Sequence, residues 1–236
     1  MTKYVDLHIV PPVEDTQSCE QMARLLRLAR YSMIGLTVPT GLLRDRIKLT
    51  RNIFDQQGVD TALRVDISSS SRTELLRSLR RFRNLYDLVA VKCVNQRVAT
   101  VACRDRRVDI IFFDTGNPGL RFTHPFAGLL RGVIEFNLVS DVVARWDRSA
   151  ISRMRKAIAI AREHKVNVVL SSGARSPKLI RTPIQISALA TILGLPHEQS
   201  VNGMTSLASS IISTNLNKRK PEYVEEGVRI ILPRGR

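Results

Sequence analysis

Aromatic residues are scarce in this chain, 5% of 236 positions with a single Trp. The stacking platforms on which proteins lay out single-stranded nucleic acid are therefore poorly supplied. Cysteine is equally thin: Cys19, Cys93 and Cys103 are odd in number and lack metal-ligand spacing. Cys93, inside an apolar run, reads as a small buried hydrophobe, and the usage fits a reducing cytoplasm. Only four histidines occur, His8, His124, His164 and His197, a small inventory for a multi-metal centre that needs several His and carboxylate ligands. No run approaches the roughly 18 apolar residues of a membrane span. The segment Met1–Asp6 enters a strand-like run with no signal-peptide pattern, so a cytoplasmic protein without membrane contact is expected.

Acidic residues are also short. Lys and Arg number 37 against 21 Asp and Glu, a net charge of +16, and 29 of the cations are Arg. Arg presents a planar fork of donors that matches phosphate, whereas Lys acts mainly as a point charge. Too few acids are present to pair these cations internally, so the counter-charge is expected outside the chain, as nucleic acid or an acidic protein partner. Many cations with few aromatics favour recognition of RNA backbone and shape over reading of single bases.

Short β-rich runs alternate with helical patterns along the chain. Strands are predicted over Lys3–Val10, Ser32–Val38, Val59–Ile67, Asp87–Val94, Arg107–Phe113, Gly132–Leu138 and Val166–Leu170. Between them lie helical patterns over Glu14–Arg30, Leu42–Gln57, Arg72–Asn84, Gln96–Ala102 and Asp141–Lys165. Seven strand–helix units suit a single-domain α/β barrel of the TIM type with parallel strands. An open doubly wound sheet is disfavoured because Pro11-Pro12-Val13-Glu14 follows the first strand where a phosphate-binding Gly-rich loop would stand. Thr205–Leu216 reads as a helix and Val228–Leu232 as a possible terminal strand, so the barrel is assigned to residues 1–216 and a basic extension to 217–236.

Asp6-Leu7-His8 closes the first strand, at the barrel end where active sites lie. It resembles the D-L-H-x-H opening of the polymerase-and-histidinol-phosphatase (PHP) superfamily, with Val10 in place of the second histidine. A metal-dependent phosphoesterase using His8 is thus the alternative reading, and the short ligand inventory stands against it. Ser171-Ser172-Gly173-Ala174 follows a strand but is no nucleophile elbow. With Arg175, Lys178 and Arg181 after it, it suits either phosphate binding or a plain turn. Arg24, Arg27 and Arg30, Arg77–Arg83, Arg104–Arg107 and Arg145–Lys156 form recurrent basic clusters on helical segments, where a helix C-terminus by itself also favours cations.

Together, Asp6-Leu7-His8, Arg64-Val65-Asp66-Ile67, Leu88–Cys93, Asp109–Asp114, Ser171–Ala174 with Arg181-Thr182-Pro183, and Ala188–Leu195 resemble archaeal ribonuclease P protein component 3 in colinear order. The resemblance implies a PHP-like barrel that joins a catalytic RNA, a small RRM-like subunit and other ribonuclease P proteins to remove 5′ leaders from precursor tRNA. It implies no catalytic or metal-binding residue and no cofactor on this chain, with Mg²⁺ on the RNA. It nominates Lys92, Arg175, Lys178 and Arg181, then Arg64 and His124, as RNA contacts.

Overall fold

The structure, a computed structural model, describes residues 3–114, 119–144, 147–219, 223–225 and 228–229. Seven parallel strands follow one another in chain order: β1 Tyr4–Ile9, β2 Tyr31–Thr37, β3 Asp60–Ser68, β4 Leu88–Cys93, β5 Ile110–Phe113, β6 Val133–Asn137 and β7 Val168–Ser171. Each crossover is helical: α1 Thr16–Leu28, α2 Arg44–Gln56, α3 Arg72–Phe82, α4 Gln96–Arg104, α5 His124–Leu129 and α6 Arg148–Glu163. After β7 come α7 Pro183–Ile192, α8 His197–Gly203 and α9 Ser206–Lys218. The ring closes at the seam between β1 and β7, where Ile9 bridges Ala174 and the Val10 amide donates to the Ala174 carbonyl. The fold is a nearly closed TIM-like α/β barrel in one domain.

Local chemistry sets the helix starts. Asp15, Ser71, Asn95 and Asp147 each accept a backbone N–H of the first helical turn, and Thr182 with Gln185 forms a reciprocal capping box on α7. These caps satisfy amides that have no partner within the helix.

Alternation along the strands sorts apolar residues into two bodies. Ile34, Leu36, Val65, Ile67, Val89, Val91 and Ile134 point outward under the helices, in the larger cluster. Val5, Leu7, Ala62, Leu88, Ala90, Ile110, Phe112, Val133 and Val169 form a smaller cluster inside the barrel. Ala208 and Ile212 of α9 join this inner cluster, so α9 plugs the end of the barrel at which the strands begin. Polar bonds hold the plug in place. Asn215 Nδ2 donates to the Asp87 carbonyl just before β4, and Arg219 pairs with the Asp87 carboxylate.

Three features differ from the sequence-based expectation. The helical stretch over Asp141–Lys165 is interrupted: a π-helical turn spans Val139–Val143, and α6 begins at Arg148 behind the Asp147 cap. The short helices α5 and α8 lack a long enough apolar period to be read. Near the C-terminus, Tyr223–Glu225 (β8) and Val228–Arg229 (β9) form a separate antiparallel pair, while the rest of the expected strand, 230–232, lies outside the described residues.

A buried ion network and the barrel mouth

Arg64 on β3 and Glu135 on β6 point into the barrel, both completely shielded from solvent. Arg64 Nη1 and Nη2 donate to Glu135 Oε1 and Oε2, each at 2.7 Å, a bidentate fork. Its Nε donates to Asp66 Oδ1 at 2.7 Å, and Nη1 also donates to the Leu7 carbonyl at 2.8 Å. The guanidinium lies 5.6 Å from the centre of the Phe112 ring. Glu135 further accepts from Ser171 Oγ at 2.7 Å. All of these donors and acceptors face one another at short range, as a charge in a low-dielectric interior requires.

The backbone is shaped to admit this pair. Register shifts along β1 turn its backbone between Asp6 and Ile9. A Cβ added at Gly35 would stand 2.0 Å from the Leu7 carbonyl oxygen, so only glycine leaves that acceptor accessible to Arg64.

Above the pair sits His8. Its Nδ1 lies 2.7 Å from Asn137 Oδ1, and its Nε2 lies 3.0 Å from Asp66 Oδ2, an ion-pair contact not aligned as a hydrogen bond. Burial and the Arg64 charge push the His8 pKa down, but the Asp66 and Glu135 carboxylates outweigh them and raise it to about 9. Burial also works against the Asp66 charge, yet Arg64 and His8 hold that carboxyl at about 2. Glu135 is lowered for the same reason. Burial dominates at Asp6, which accepts from the Ser172 and His8 amides and is raised to about 6.

This arrangement answers the metal question in terms of residues. The imidazole and carboxylates that converge at the strand ends converge on a guanidinium carrying four donated hydrogen bonds. A divalent ion would have to displace that guanidinium, so the residues present do not fit a PHP-type metal centre.

Ser171-Ser172-Gly173-Ala174 serves the seam. The Ser172 amide holds Asp6, Ala174 bonds β1, and Gly173 takes φ +63 where a Cβ would meet Ser140 Oγ at 2.5 Å. The turn is thus built by close backbone approach, for which glycine is suited.

The nominated RNA contacts fall into different settings. Arg64 is corrected: it is wholly interior, and its donors are engaged by Glu135, Asp66 and Leu7, so it has no face toward RNA. Lys92 and Arg175 line one cleft at the mouth with His8 on its floor, but Asp114 and Asp141 line it too, and Lys92 Nζ pairs with Asp114 at 2.8 Å. Arg181 turns its Nη1 back onto the Lys178 and Ile180 carbonyls. Arg175 and Lys178 are exposed. His124 stands away from the mouth at the start of α5, beside His164. Glu135 was missed by the sequence reading. Its signal was a lone acid in the buried run Gly132–Leu138, where an uncompensated charge is not tolerated.

Two expectations follow. Glu135→Gln leaves the Arg64 charge buried without its partner and is expected to destabilise by about 3–5 kcal/mol, a Tm loss of roughly 6–20 °C for a chain of this size. The Arg64→Met/Glu135→Leu pair is expected to recover most of that loss in the same thermal melt. His8 has a folded pKa above its free value of 6.5, so its stabilising contribution is complete below pH 6.5 and is lost as pH rises to about 9. Denaturant melts across that window are expected to show this decline, and His8→Gln is expected to flatten it.

Comparison with known proteins agrees over nearly the whole chain. The chain is 25% identical over 242 residues to Ribonuclease P protein component 3 of Methanothermobacter thermautotrophicus, covering 98% of this chain and 96% of that one. It is 29% identical over 202 residues to Protein GAMETOPHYTE DEFECTIVE 1 of Arabidopsis thaliana, covering 84% of this chain and 34% of that protein. A chain in a cryo-EM structure of archaeal Ribonuclease P with mature tRNA superposes with a TM-score of 0.83 at 20% identity, covering 98% of this chain and 100% of that one. A crystallised amidohydrolase shares the barrel more distantly, with a TM-score of 0.56 at 11% identity over 90% of this chain and 74% of that one. The model of the family described as RNase P subunit p30 matches residues 3–220, and the chain belongs to that family.

Proposed function

We propose that this chain is a non-catalytic protein subunit of ribonuclease P that binds the enzyme's RNA and supports 5′-leader removal from precursor tRNA. The observation that carries the reading is the family match over residues 3–220. Cleavage then belongs to the RNA component with its Mg²⁺, and a small RRM-like subunit and other ribonuclease P proteins complete the assembly. The alternative of a metal-dependent phosphoesterase is disfavoured by the guanidinium in the polar centre of the barrel.

Charge distribution supports a particular RNA face. On α3, Arg77, Arg80 and Arg81 project opposite the buried Leu75 and Leu79, and on α4, Arg97 and Arg104 project opposite Val98, Ala99, Ala102 and Cys103. Arg72 and Arg106 extend this face at its ends, and all seven are exposed and in no ion pair among the described residues. The acids nearby are engaged: Glu74 by the Ser70 amide and hydroxyl, Asp105 by Arg107, and Asp109 by Arg83. By contrast, the mouth cleft balances Lys92 and Arg175 against Asp114 and Asp141. Along α4, Arg97 and Arg104 are two turns apart, about 10 Å. Such a ridge suits the phosphates of a folded RNA, where released counterions drive binding. Arg175 and Lys178 at the mouth are a secondary contact, with Lys92 and Arg181 already partly engaged.

Omitting the chain from a mixture of cognate ribonuclease P RNA and partner proteins is expected to lower precursor-tRNA cleavage at moderate Mg²⁺, with no cleavage by the chain alone. Cleavage by the chain alone, or no effect of omission, would overturn the reading. Replacing Arg77, Arg80 and Arg104 together by Ala is expected to reduce the slope of log K against log salt by about 2–3. Arg175→Ala/Arg181→Ala is expected to change it less, and the reverse order would return the RNA interface to the mouth.

A further inference from the structure

A second polar cluster lies outside the barrel, where the start of α5 meets the end of α6. His124 is the first residue of α5; Glu163 is the last residue of α6 and His164 its C-cap. His124 Nδ1 lies 3.0 Å from His164 Nε2 and 3.8 Å from Glu163 Oε1, and the three donor atoms lie within 4.8 Å of one another. All three side chains are exposed to solvent.

We propose that His124, Glu163 and His164 form a binding site for a single transition-metal ion, best suited to Zn²⁺. Two imidazole nitrogens and a carboxylate oxygen are the ligand types this ion takes in proteins, with bonds of about 2.0–2.2 Å. Donors placed tetrahedrally at that distance stand roughly 3.3 Å apart, and the 3.0 and 3.8 Å separations here bracket that spacing. The third pair, Glu163 with His164, lies within 4.8 Å, and side-chain rotation would close it to that spacing around one ion. Mg²⁺ and Ca²⁺ prefer all-oxygen cages, so the two nitrogens select against them. Three protein ligands leave a fourth position to water or to a donor from a bound partner. The ion would tie α5 to α6 across a separation of forty residues in the chain. This site shares no residue with the Arg64–Glu135 network and does not depend on the ribonuclease P assignment.

The test is a Zn²⁺ titration of the purified full-length chain by calorimetry, repeated with Co²⁺ as a spectroscopic probe and followed by thermal melts with and without Zn²⁺. One ion per chain is expected, with tetrahedral Co²⁺ absorption and a Tm raised by Zn²⁺, because the ion binds only the folded state. His164→Ala and Glu163→Gln, both surface changes, are expected to weaken binding by more than about tenfold, since even loss of an outer-shell partner of a metal ligand has that effect. They are also expected to abolish the Tm shift, whereas His197→Ala binds as the parent does. Three results overturn the site: no saturable binding to the parent chain, unchanged binding in His164→Ala and Glu163→Gln, or equal loss in His197→Ala.

Discussion

A full positive charge stands at the centre of this barrel, and much of the surrounding structure is arranged around it. Arg64 can remain there because Glu135 meets it as a bidentate partner and Asp66 and the Leu7 carbonyl take two more of its five N–H groups. Those requirements reach into six of the seven strands: β1 turns its backbone, β2 supplies Gly35, β5 supplies Phe112, β7 supplies Ser171, and β3 and β6 carry the pair itself. Such a pair adds little net stability over a well-packed apolar layer, because desolvating both ions offsets most of their attraction. What it adds is register. A slip of one residue in β3 or β6 would turn a charge out of the interior and an apolar residue in, so the ion pair marks one alignment of the ring as the acceptable one.

The same arrangement explains why a barrel with a polar mouth is read as a scaffold. Catalysis at strand ends needs ligands or acid–base groups left open to a substrate. Here His8, Asp66 and Glu135 are engaged with one another and with Arg64, and α9 closes the opposite end. With the polar groups of the interior engaged by one another and the opposite end plugged by α9, the exposed cations of the chain stand on the outer helices and around the mouth cleft. Exposed arginines stand on several of these helices, α1 and α6 included, and those of α3 and α4 form no ion pair among the described residues. Fold and function are thus separate layers, as is common for barrels that share architecture across unrelated activities.

Much of the fold was legible in the sequence, and for identifiable reasons. Buried parallel strands are nearly continuous apolar runs, so Leu88–Cys93 and Ile110–Phe113 announced themselves. The expected starts of α3 and α4, at Arg72 and Gln96, fall where Ser71 and Asn95 cap the helices in the structure. The short α5 was not legible, since six residues carry too little periodicity. The site was harder. The motif Arg64-Val65-Asp66-Ile67 looks the same whether its charges face in or out, because period-two alternation marks two faces without naming the inner one. Glu135 lies 71 positions from Arg64, so no local pattern joins them. His124 and His164 are likewise brought together only by the packing of α5 on α6.

On the proposed function, RNA meets the outer arginine face of α3 and α4 while the barrel interior holds itself together. That placement is tested most directly by photo-crosslinking 4-thiouridine-labelled cognate ribonuclease P RNA to the full chain in the reconstituted particle and mapping the crosslinked peptides. The account predicts crosslinks concentrated in peptides from Arg72–Arg83 and Gln96–Arg106, with fewer around Arg175 and Lys178. Crosslinks confined to the strand ends around His8, Asp66 and Asn137, with none on α3 or α4, would contradict it.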